Sequence, residues 1–89
     1  MREIKVNRIY KHFKGNYYLV LALAKNSEDL KDYVVYKSLN DDKVWIREFS
    51  MFASKVDKVK YPNSKQKYRF ELWNKSDLKI TQWDENPIF

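Results

Sequence analysis

The side chains best able to do chemistry fall in two short segments. Tyr10, His12 and Lys14 alternate in YKHFK, and Trp45 and Arg47 alternate in VWIR. In extended backbone, alternate side chains point to one face. Tyr10, His12 and Lys14 therefore share a side, as do Trp45 and Arg47. If Val44 and Ile46 face the core, Trp45 and Arg47 point outward, and two strands display aromatic–cation pairs on an outer surface. Such pairs suit a base stacked over a ring, with its phosphate held by the cations. Ser27, Glu28 and Tyr36 are candidates to orient that ligand. The competing structural reading seals Trp45 beneath a C-terminal hairpin and pairs Arg47 with Glu28 or Asp32. It also gives His12 a hydrogen-bonding role and makes Ser27-Glu28 a helix start.

Enzymatic readings have less to stand on. With one His and no Cys, a zinc site would need several carboxylates. Gly15 is the only glycine, so there is no Gly-rich phosphate loop. His12 and Glu28 with Ser27 or Ser38 could imitate a nucleophile–base–orienter set, but no spacing forces them together. The expectation is a non-enzyme without cofactor or metal.

Short β elements must position these residues. Residues 8–13 read as a strand, 14–16 as a turn and 17–24 as an apolar strand. Residues 26–31 form a polar loop or single helical turn. Residues 33–38 are β-branched and aromatic, hence strand. A turn at 40–43 precedes a strand at 44–47 and a short helical turn at 48–52. The lysine-rich stretch 55–67 reads as a mobile loop. Residues 68–73 and 78–83 alternate cleanly around Asn74–Asp77, which predicts a β-hairpin. The predicted fold class is mostly β: a small barrel or roll with a C-terminal hairpin extension. The predicted division is a roll core over 1–57, a lysine-rich loop over 58–67, and a hairpin and tail over 68–89, all within one domain.

The chain has 89 residues, 44% of them hydrophobic and 17% aromatic, enough apolar mass for one modest core. The absence of cysteine excludes disulfides. The longest apolar run, YYLVLALA, is too short to span a bilayer, and the first ten residues lack a signal-peptide core. A soluble, cytoplasmic protein without membrane association is expected. The net charge of +6 is concentrated in residues 1–15, with five basic side chains to one acidic, and 54–69, with six to one. Such segments attract nucleotides, nucleic acid or acidic protein surfaces, or simply keep a small protein soluble. Lysine outnumbers arginine 14 to 4, which favours solvation over bidentate base reading.

The order of residue types resembles domain-of-unknown-function family 1653, small proteins of bacteria and phages. The matching positions are Tyr10 to Gly15, Tyr18, Val20, Ala24, Ser27-Glu28, Val34-Val35-Tyr36, Leu39, Trp45-Ile46-Arg47 and Met51-Phe52, with Arg69-Phe70 as a closing pair. Asn26 stands where the family usually has His, and Glu48 where it has Pro. The resemblance implies an SH3-like β-roll and no activity. The resulting expectation is a binding module for an anionic, nucleotide-like small ligand on Tyr10, His12, Lys14, Ser27, Glu28, Tyr36, Trp45 and Arg47. A homo-oligomer with a pocket at its boundary and a phage protein sequestering a host signalling nucleotide both fit it. The alternatives are nucleic-acid binding through the lysine-rich segments and a protein-interaction or inhibitor module.

Overall fold

The computed structural model describes residues 2–73. Five strands and one helical turn follow in chain order: β1 (Ile9–His12), β2 (Tyr17–Lys25), β3 (Asp32–Ser38), β4 (Val44–Glu48), α1 (Phe49–Phe52) and β5 (Phe70–Leu72). They form one antiparallel sheet in the order β4-β3-β2-β1-β5. The first four strands are a meander, and the chain then returns so that β5 pairs with β1. This is the small, mostly β roll that the sequence predicts.

Local chemistry sets the turns. Gly15 closes β1 to β2 at φ 108°, a region that L side chains avoid. The Gly15 amide donates to the His12 carbonyl at 2.8 Å. Leu30 and Asp42 take left-handed φ values of 60° and 61° in the next two turns. A register shift between Val20 and Ala22 bends β2, as bulges do, and helps the sheet curl.

Tyr10, Val20, Val34, Tyr36 and Phe70 fill the core face together with Ile4 and Phe52. Phe52, on α1, stacks on Phe70 at 4.0 Å and 6°. Arg2 ties the N-terminal segment down by donating to the carbonyls of Ala53 and Phe70 at 3.1 and 2.7 Å.

Register decides which side of β4 faces the core. Val34 lies opposite Arg47 and Tyr36 opposite Trp45. Val34 and Tyr36 are core residues, so Trp45 and Arg47 emerge on the core side. Val44 and Ile46 are 56% and 65% exposed on the outer side. The expected polarity of VWIR is thereby reversed. Tyr10 is likewise corrected: it is 1% exposed in the core, and its hydroxyl accepts a 2.8 Å hydrogen bond from the Lys5 amide.

The stretch 55–67, expected to be mobile, carries a dense set of internal hydrogen bonds. Val56 is buried, and its amide donates to the Lys67 carbonyl at 2.9 Å. The Asp57 carboxylate accepts from the amides of Val59 and Lys60. Lys58 donates to the carbonyls of Ser64 and Gln66. Gln66 Nε2 donates to the Lys11 carbonyl at 2.8 Å, pinning the loop to β1. The first arm of the predicted hairpin appears as β5, and its second arm lies outside the described residues. Among the described residues no helix is long and apolar enough to cross a membrane.

Candidate functional site

His12 ends β1 at the mouth of the roll. Its ring lies 4.6 Å from Phe13, 4.8 Å from Phe70 and 6.3 Å from Tyr18. Nδ1 accepts a 3.1 Å hydrogen bond from the Lys14 amide, so the neutral ring carries its proton on Nε2. Burial, then the charges of Arg47, Arg69 and Lys14, lower its pKa from 6.5 to about 4. Near pH 7 it is a neutral donor among cations.

Three elements bring those cations together. Arg47 comes from β4: Nε donates to the buried Tyr36 hydroxyl at 3.1 Å, and the guanidinium carbon lies 5.8 Å from the Phe70 ring centre. Arg69 directly precedes β5, and its Nε donates to Ser54 Oγ at 3.2 Å. Lys14 lies in the β1–β2 turn, its ammonium 5.9 Å from the Phe13 ring and 5.4 Å from the Tyr61 ring. Each cation is anchored by a neutral hydroxyl or an aromatic ring. The ion pairs among the described residues, Lys25–Asp32 at 2.8 Å and Lys37–Asp42 at 4.0 Å, involve none of them. Arg47 thus forms no ion pair with Glu28 or Asp32. The cluster is a site of positive potential that low-dielectric aromatic walls screen poorly.

The expected residues divide accordingly. His12, Lys14, Tyr36 and Arg47 are gathered at the mouth, with Tyr36 serving as the buried post that holds Arg47. Trp45 is 49% exposed beside Tyr36, and no described residue seals it. Tyr10 belongs to the core. Ser27 and Glu28 lie exposed in the β2–β3 turn, where the Glu28 amide donates to Asn26 Oδ1 at 2.9 Å. No hydrogen bond or ion pair links their side chains to the cluster among the described residues. Sequence reasoning missed Arg69, Phe13 and Tyr61 as site residues. The one available signal was the closing Arg69-Phe70 pair: strand pairing sets Phe70 opposite His12, and the Arg69 charge acts on the imidazole. Among the described residues no group of His, Asp and Glu could hold a metal ion.

Fold and site define a class: a small antiparallel β-roll with an aromatic core face and a cationic mouth. Residues 8–72 match the family described as Protein of unknown function (DUF1653), and the chain belongs to that family. It is similar to the crystal structure of a DUF1653 protein from Bordetella bronchiseptica, with 26% identity and a TM-score of 0.64, over 83% of this chain and 91% of that one. A search of curated proteins gave no match.

Proposed function

We propose that this protein is a non-enzymatic binding module for an anionic, nucleotide-like ligand seated at the mouth of the roll. Arg47, Arg69 and Lys14 hold the phosphate, neutral His12 donates from Nε2, and half-exposed Trp45 offers a stacking plane. Tyr36 positions Arg47 and does not touch the ligand. Ser27, Glu28 and Tyr10 leave the contact set. One observation supports this reading above the others: the His12 ring packs on Phe13 and Phe70 where the charges of Arg47, Arg69 and Lys14 act on it, and none of the three cations forms an ion pair among the described residues. Cations held close by neutral anchors repel one another, and a phosphate relieves that repulsion while accepting charge-assisted hydrogen bonds. Holding a nucleotide without turning it over is the role this arrangement serves, consistent with sequestration inside a cell.

Thermal denaturation with a panel of nucleotides tests the reading. A ligand at 100 times its Kd adds about 2.7 kcal/mol, which in a domain this small raises Tm by roughly 10 to 20 °C. Arg47→Gln should abolish most of that shift while leaving the ligand-free Tm within a few degrees. A folded protein whose Tm no nucleotide moves would falsify the proposal.

A further inference from the structure

A second basic and aromatic feature lies next to the mouth, shares Lys14 with it, and is otherwise unused in the reading above. Phe13, Lys14, Lys60, Tyr61, Pro62, Asn63 and Ser64 line an open cleft of about 340 Å³, at the lower end of the roughly 300–1,000 Å³ typical of ligand sites. One wall is the β1–β2 turn and the other is the loop that Gln66 pins to β1. The Phe13 and Tyr61 rings meet edge to face at 4.9 Å and give the cleft its aromatic floor. The Lys14 and Lys60 ammonium groups approach the same Tyr61 ring, at 5.4 and 5.5 Å from its centre. Among the described residues no carboxylate lines the cleft.

Two like charges on one phenol need an explanation. Desolvation acts to raise the Tyr61 pKa, but Lys14 and Lys60 together outweigh it and lower the value. Both ammonium groups gather at the Tyr61 ring, beside a neutral phenol, a place that a phosphate oxygen fills better. Lys58 differs in kind: its ammonium is used up on the Ser64 and Gln66 carbonyls and holds the loop in shape. Of the loop lysines, Lys58 thus builds the cleft wall and Lys60 faces the cleft.

Geometry joins this cleft to the mouth. Phe70, His12, Phe13 and Tyr61 follow one another with ring centres 4.8, 4.6 and 4.9 Å apart. Cations flank the series, with Arg47 beside Phe70, Lys14 between Phe13 and Tyr61, and Lys60 beyond Tyr61. Phe70 is buried and only backs His12; beyond it, aromatic rings interleaved with cations are how proteins hold successive bases and phosphates of a single strand. A mononucleotide offers one base and one phosphate and can engage only one end of this series.

We infer that the Phe13/Tyr61 cleft is a second base-and-phosphate subsite, so that the ligand is a single-stranded oligonucleotide of at least two nucleotides. This rests on the nucleotide reading of the mouth and names its substrate class. Lys14 is the shared element, facing one phosphate at the mouth and the next in the cleft. Tyr61 supplies the second stacking plane, and Lys60 closes on the second phosphate.

The test compares a 5′-mononucleotide with the 5′-phosphorylated dinucleotide of the same base by calorimetry on the full chain. The dinucleotide should bind at least about 10-fold more tightly, because one stacked base contributes on that scale. Lys60→Gln should erase most of this advantage and leave mononucleotide affinity within about two-fold, and Tyr61→Leu, which also removes a ring beside Lys14, should weaken the dinucleotide more than the mononucleotide. Both positions lie on the loop surface, and an unchanged circular-dichroism melt confirms that the fold survives. Arg47→Gln should weaken both ligands together. Equal affinities for the two ligands, or an advantage untouched by both loop variants, overturn the second subsite and leave the mouth reading intact. Dinucleotide binding that depends on Tyr61 without measurable mononucleotide binding supports the subsite. Binding of neither ligand overturns both proposals.

Discussion

At the scale of single residues, His12 is the most informative probe, because it is the only histidine in the chain. Its folded pKa of about 4 lies below the ordinary 6.5. Between those values the unfolded chain takes up a proton that the folded chain refuses. The corresponding stability is therefore complete above about pH 6.5 and is lost as pH falls through 4. A unit of pKa difference corresponds to about 1.4 kcal/mol. With solvent screening of a half-exposed ring, the expected loss is roughly 1 to 2 kcal/mol. Denaturant titrations of wild type and His12→Asn at pH 7 and pH 4.5 isolate it, since carboxylate effects are common to both proteins. The imidazole resonances should titrate near 4 in the free protein, and they should move upward when a phosphate-bearing ligand neutralises the neighbouring cations. A free-protein midpoint near 6.5 would remove the electrostatic basis of the site.

Among the elements, the β1–β2 turn does the most positioning for its length. It carries His12, Phe13 and Lys14 and reverses at Gly15. Among the described residues a Cβ at Gly15 would meet nothing within 4 Å, so the φ of 108° is what resists substitution. Gly15→Ala should cost about 1 to 2 kcal/mol through backbone strain alone, read as a Tm drop of several degrees. A wild-type Tm in this variant would mean that the turn takes another conformation. The elements themselves were largely legible. Alternation and β-branched content mark four of the five strands closely, and EFSMF predicts the helical turn that Phe49–Phe52 form. The stretch 55–67 is legible as a loop, but its internal bonding is not, because lysine content reads as solvation. Its shape comes from Gln66, Asp57 and Lys58 bonding backbone groups, which is a property of side-chain geometry and not of composition.

For the molecule as a whole, stability depends on a few large rings. A chain of 89 residues has about 4 to 13 kcal/mol in total. Phe52 is fully buried and stacks on Phe70, with Tyr10 and Tyr36 on its edges at 5.7 and 5.2 Å. Phe52→Ala should cost about 3 to 5 kcal/mol, a large share of that total, and should appear as a loss of well over 10 °C in Tm or as loss of cooperative melting. A shift of only a few degrees would show that the aromatic cluster repacks. The same cluster walls the mouth, so this variant should also lose the Arg47-dependent ligand response.

Sequence alone determined the strands, the mostly β class, and the pairs of residues that must share a face, because extended backbone alternates with a period of two whatever surrounds it. It could not say which face turns inward. That was decided by the β3–β4 register, which sets Trp45 and Arg47 beside Tyr36 and Val34 and leaves Val44 and Ile46 in solvent. It also could not join His12 to Arg69, Phe70 and Tyr61. Those residues lie far away along the chain, and only the return of β5 onto β1 and the pinned loop bring them into one electrostatic field. Periodicity is local and survives in a string of letters, whereas face polarity and charge convergence are non-local and exist only once the sheet has closed.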